Sequence, residues 1–139
     1  MKPRPIWLSL VLIAATITLG LALRMAPLGL PRFVVKYGGS TMWALMIYWL
    51  VTTLLPAMRI LFAALIACAA AAAVELFKLY RSPGMNAFRG TLAGTLLLGR
   101  YFSWKDIIAY WLAIALGAFL DWCIRRRSII KSCRAAGQV

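Results

Sequence analysis

Charges are sparse over four long stretches of this chain, and the spacing of those stretches constrains its fold more than any other feature. Residues 6–23 run for 18 positions without a charge, preceded by Lys2 and Arg4 and followed by Arg24. At ~1.5 Å per residue a helix of that length nearly crosses a ~30 Å hydrocarbon layer. A cleaved leader would have a shorter apolar region and a soluble domain behind it, so the run is expected to stay as an anchor. Pro27, Gly29, Pro31 and the pair Gly38-Gly39, interspersed with Arg24, Arg32 and Lys36, predict a hinge at a membrane face. Ser40 or Thr41 is the expected cap of a second helix over 41–58, which Pro56 and Arg59 close.

A third helix is expected over 60–80. It is alanine-rich from Ala63 to Ala73 and carries Glu75 and Lys78 as i,i+3 neighbours near its end. Ser82-Pro83-Gly84 stops it. The segment 85–102 holds Arg89, Gly90, Gly94, Gly99 and Arg100, and its uncharged part spans only ten residues. Runs of ~10–14 apolar residues are more often interfacial or re-entrant than spanning, so a half-inserted segment is expected here. Ser103 and Asp106 form a capping-box pattern that opens a last helix over 104–122. Trp104 and Trp122 are placed to meet the two interfaces. The predicted fold is therefore all-α and polytopic: residues 1–124 as one membrane domain with four transmembrane helices plus one short re-entrant or interfacial helix, and 125–139 as a basic, flexible tail.

Composition agrees. Hydrophobic residues make up 64% of the 139 positions, against roughly 45–50% in soluble domains. Lys and Arg number 16, Asp and Glu 3, and histidine is absent. Without histidine the chain lacks the usual general base and the commonest metal ligand. Cys68, Cys123 and Cys133 have no metal spacing, and no serine has a base beside it to activate it. No catalytic set, metal site or cofactor is expected. The cations flank apolar spans and line no soluble face, which argues against nucleic acid as a partner.

Four spans put eight cations on each side, and the basic tail then favours both termini in the cytoplasm of an inner-membrane protein. The other face receives Arg24, Lys78, Arg89 and Arg100 with only Glu75 and Asp106 to offset them. One reading makes these cations an anion-binding site oriented by the two carboxylates, with membrane lipids or an anionic lipid-linked precursor as partner. The alternative is structural: Glu75 pairs with Lys78, Asp106 caps its own helix, and Arg89 ties the half-inserted segment to Glu75. In the last helix Ala113 and Gly117 form a small-xxx-small seam, and Asp121 can pair with Arg125 at i,i+4. That seam and residues 67–73 suit a second role, as a scaffold subunit packed against a membrane protein partner. A small transporter or lipid-modifying enzyme is a third reading, weakened by the scarcity of polar lining.

Two stretches carry a family resemblance. Leu30-Pro31-Arg32-Phe33, Lys36-Tyr37-Gly38-Gly39-Ser40 and Met42-Trp43-Ala44-Leu45-Met46 lie in the front half. Val74-Glu75-Leu76, Ala87-Phe88-Arg89 and the pattern Phe102-x-Trp104-x-Asp106-x-x-x-Tyr110 lie in the back half. Together they resemble domain of unknown function 2809, small bacterial integral membrane proteins without an assigned activity. The order acid, loop, Arg, Asp is also distantly similar to VanZ-like proteins, associated with resistance to teicoplanin-type antibiotics. This chain departs from the family pattern at Ser40, Lys78 and Ala113, which makes the local site more cationic.

Overall fold

The computed structural model describes residues 4–25, 29–80, 82–91, 94–95 and 102–136, without the side chains of 32 and 128–136. These residues are all-α. The helices are α1 (Ile6–Met25), α2 (Arg32–Leu54), α3 (Ile60–Phe77), α4 (Pro83–Gly90) and α5 (Trp104–Ala136). Three segments are long and apolar enough to cross a membrane: Ile6–Met25, Ile60–Phe77 and Trp104–Arg127.

α2 is the centre of the bundle, packing against α1, α3 and α5, while α3 also packs on α5. The core joins Ala44, Tyr48 and Trp49 of α2 to Ala67 and Ala71 of α3 and to Tyr110, Ala113 and Ile114 of α5. The outward surface inverts the pattern of a soluble protein. On α1 the buried residues are Ser9 and Thr16, while Trp7, Leu10 and Leu19 are exposed. On α3 the stripe Ala63, Ala67, Ala71 and Glu75 is buried, and Leu61, Phe62 and Leu65 face out. In hydrocarbon bulky apolar side chains need no burial, and small residues let backbones approach. This distribution is consistent with a membrane protein.

Several boundaries differ from those read in the sequence. α2 begins at Arg32, not near 41, so Gly38 and Gly39 lie inside a helix rather than in a hinge. The first α2 turn follows Pro31 without a side-chain cap, and Thr41 instead bonds the Tyr37 carbonyl. The glycines serve close packing. A Cβ at Gly38 would sit 3.0 Å from Leu23 Cδ1, and one at Gly39 would sit 3.1 Å from Arg24 Nε. Likewise a Cβ at Gly117 would lie 2.8 Å from Leu45 Cδ2, which identifies the Ala113/Gly117 seam as the contact between α5 and α2.

α3 ends at Phe77, three residues before the expected end. α5 continues through the arginine triplet to Ala136, where a flexible tail was expected. Its last twelve residues contain no Gly or Pro and several strong helix formers, so nothing local breaks the helix. At 33 residues α5 is ~50 Å long, more than a ~30 Å hydrocarbon layer. Of the expected half-inserted segment 85–102, residues 85–90 belong to α4, whose Ser82 cap accepts from the Met85 N–H. Most of 92–101 lies outside the described residues.

Candidate functional site

Two buried polar networks occupy opposite ends of the bundle. The first gathers where α2 and α5 begin and α3 ends. Glu75 is fully buried on the inner stripe of α3, and its carboxylate accepts from three donors: Lys78 Nζ, the Tyr110 hydroxyl at 3.0 Å and the Ser103 backbone N–H at 2.9 Å. Ser40 of α2 adds a hydrogen bond to Tyr110. Glu75 therefore joins three helices. It also takes the N–H that a capping-box acid at 106 would have taken.

Asp106 is released from that capping role. It is buried, with Lys36 Nζ of α2 3.9 Å from Oδ1, and Oδ1 has no hydrogen bond among the described residues. Arg24, Glu75 and Lys78 are near enough to Asp106 to act on it electrostatically. Lys36 was not among the candidate site residues; a cation one turn before Ser40 was its only signal.

Arg89 is buried but does not tie α4 to Glu75, as the structural alternative had it. Its guanidinium donates to the carbonyls of Phe77 at 2.8 Å, Tyr80 at 3.1 Å and Lys78 at 3.2 Å. Among the described residues the Lys78 and Tyr80 carbonyls are otherwise orphan acceptors just beyond the α3 C-terminus, and that of Phe77 also takes the Tyr80 N–H; a cation there also meets the negative end of the helix dipole. The physical reason for the difference is supply: Glu75 already has three donors, whereas the carbonyls ending α3 have few. Arg100 lies outside the described residues.

Arg24 stands at the exposed edge of this network. It lies across Gly39, and its NH1 donates to the Thr95 carbonyl at 3.5 Å. From there a groove of about 220 Å³ runs between α1 and α2, lined by Thr16, Ile17, Gly20, Leu21, Met42, Trp43 and Met46. It is apolar along its length and cationic at one end.

The second network sits where α2 ends and α1 begins. Asp121 is fully buried and accepts from the Tyr48 hydroxyl at 3.1 Å. Arg125 grips it with Nε on Oδ1 at 3.1 Å and NH2 on Oδ2 at 3.0 Å, as the i,i+4 spacing predicts. Arg4 adds a second guanidinium, with NH1 3.1 Å from Oδ1, NH2 donating to Thr52 Oγ1 at 2.7 Å and its face over the Trp49 ring. Burial pushes the Arg4 pKa below its usual value, and the Asp121 charge opposes that shift. A guanidinium is basic enough to stay charged all the same. Between the two networks lies the close-packed core of Ala44, Ala67, Ala71, Ala113 and Ile114, with no polar side chain among the described core residues to relay a proton from Tyr110 to Tyr48.

A profile of the family described as Protein of unknown function (DUF2809) matches residues 29–122. The chain belongs to this family. The DUF2809 match contains α2 through Asp121, and with them Glu75, Lys78, Arg89, Asp106 and Tyr110. Arg4, Arg24 and Arg125 fall outside the stretch matched to DUF2809. No solved structure matches the chain.

Proposed function

We propose that this DUF2809 protein is a small inner-membrane protein that binds an anionic envelope lipid in the α1/α2 groove. One acyl chain lies along Ile17, Met42 and Met46, and the headgroup phosphate meets Arg24, with Lys36 nearby. In this reading α1, α2, α3 and α5 span the bilayer, α4 rests at one interface, and both termini are cytoplasmic. The observation that carries it is the groove itself: apolar side chains along its length and a guanidinium at one end fit an amphiphile with a negative head.

Lys78 and Arg89 then shape the site without touching the ligand, because Glu75 and the α3 carbonyls engage them. A scaffold role finds less support than it had in the sequence, since Ala67, Ala71, Ala113 and Gly117 are buried within the chain's own bundle. The separation of the two polar networks by a packed core weighs against transport. The VanZ-like likeness rests on residue order alone and adds nothing to the choice of ligand.

Native mass spectrometry of the purified chain with phosphatidylglycerol and phosphatidylcholine tests the proposal. Phosphatidylglycerol should be retained preferentially. Arg24→Gln should weaken it about tenfold or more, as loss of a charge-assisted hydrogen bond worth ~1.5–3 kcal/mol implies. Ile17→Trp should obstruct the groove with the same result. Equal retention of both lipids by all three proteins would overturn it.

A further inference from the structure

The charges of the two networks do not balance in the same way. At the Glu75 end Lys78 pairs with Glu75 and Lys36 with Asp106, and the further buried guanidinium of Arg89 is taken up by three carbonyls. At the opposite end Arg4 and Arg125 share Asp121, and their side chains are only 2% and 3% exposed. Among the described residues this leaves one buried positive charge without a counter-ion. Uncompensated buried charge is strongly destabilising, and at a membrane it marks a functional site by default.

A cavity of about 200 Å³ adjoins this charge, lined by Arg4, Ile6, Ser9, Thr52, Thr53 and Pro56. Three of these residues are hydroxylic, and of them Thr52 and Thr53 already donate to carbonyls of α2. Arg4 Nε is buried with no hydrogen-bond partner among the described residues. The first turn of α1 opens onto the same cavity at Ile6. Leu8 and Ser9 donate back to the Pro5 carbonyl, and the first N–H groups of a helix have no acceptor within it. The positive end of the α1 dipole adds to the guanidinium field there.

We infer that this cavity is a second anion site, on the face where α1 enters, and that it takes a phosphate oxyanion beside Arg4. The phosphate comes from a lipid headgroup or from solution. This site is independent of the α1/α2 groove, which lies toward the other end of α1 and uses Arg24. Asp121 and Thr52 hold the guanidinium of Arg4 from one side, and the oxyanion completes its neutralisation from the other.

The test uses the full chain in an uncharged detergent, with ionic strength held constant by chloride. Inorganic phosphate and phosphatidylglycerol are titrated separately while the melting temperature is read. At least one of them should raise it saturably by ~5–10 °C, as ligand linkage predicts near a hundredfold excess over Kd. A shift with phosphate shows the site open to solution; a shift with phosphatidylglycerol alone that persists in Ile17→Trp, where the α1/α2 groove is obstructed, assigns it to lipid. In that Ile17→Trp background Thr53→Leu, which fills the cavity and leaves Arg4, Arg125 and Asp121 in place, should abolish the shift. Arg4→Gln should weaken binding about tenfold or more. Arg126→Gln, at an exposed arginine on the same face, should leave the shift unchanged. No saturable shift with either ligand, or an equal shift in Thr53→Leu, overturns the assignment.

Discussion

Replacing Glu75 by glutamine while leaving Lys78 in place should destabilise the bundle out of proportion to the one atom changed. Lys78 is 8% exposed, so its ammonium would keep its burial and lose its counter-charge. Breaking a buried ion pair from one side costs ~3–5 kcal/mol. Lys78→Met leaves Glu75 charged but still bonded by Tyr110 and the Ser103 N–H, so about 3 kcal/mol is expected, the lower end of the same range. The double variant Glu75→Gln/Lys78→Met removes both charges and should be no worse than either single change, since apolar replacement of a buried pair is often near neutral. The interaction energy is then at least ~3 kcal/mol in magnitude, at or beyond the top of the range for contacting residues. It can be read from equilibrium unfolding in mixed micelles, by titrating dodecyl sulfate into dodecyl maltoside and following tryptophan fluorescence. Single effects that simply add, within ~0.5 kcal/mol, would refute the claim that Glu75 and Lys78 stabilise the fold as a unit.

Two more outcomes follow from the same geometry. Arg89→Ala should lower the amount of folded protein and raise amide exchange over residues 78–90, because the carbonyls ending α3 lose their donors; unchanged exchange there would remove Arg89 from its capping role. With the native cysteines replaced, a cysteine at position 59 should react only from the cytoplasmic side and one at position 82 only from the opposite side; labelling of both from one side would discard the four-span topology.

Helix content was legible in the sequence because long weakly charged runs leave few alternatives in lipid. The Glu75–Lys78 and Asp121–Arg125 pairs were legible for a local reason: both lie within one helical turn. What escaped was long-range or backbone-directed. Arg4 and Asp121 are brought together only by packing α1, α2 and α5, and nothing near Arg4 in the chain announces a partner. The acceptors of Arg89 are main-chain carbonyls, which carry no residue signature. Gly38 and Gly39 illustrate a third failure. Glycine breaks a helix in water, but here it lets Leu23 and Arg24 of a neighbouring helix lie against the backbone. The same residues read as a hinge by propensity and as a seam by contact.

The central position of α2 bears on how such a chain enters the bilayer. During synthesis α2 emerges before α3 and α5, the helices that later shield it. Its threonines are ready for that interval: Thr41, Thr52 and Thr53 each donate to a carbonyl three or four residues back in their own helix. In the proposed four-span arrangement lipid thus meets a segment whose threonine hydroxyls are already satisfied, and α1, its earliest neighbour, turns Ser9 and Thr16 inward. Assembly can then proceed in stages, with an α1/α2 hairpin waiting in the membrane for the acids of α3 and α5 to arrive.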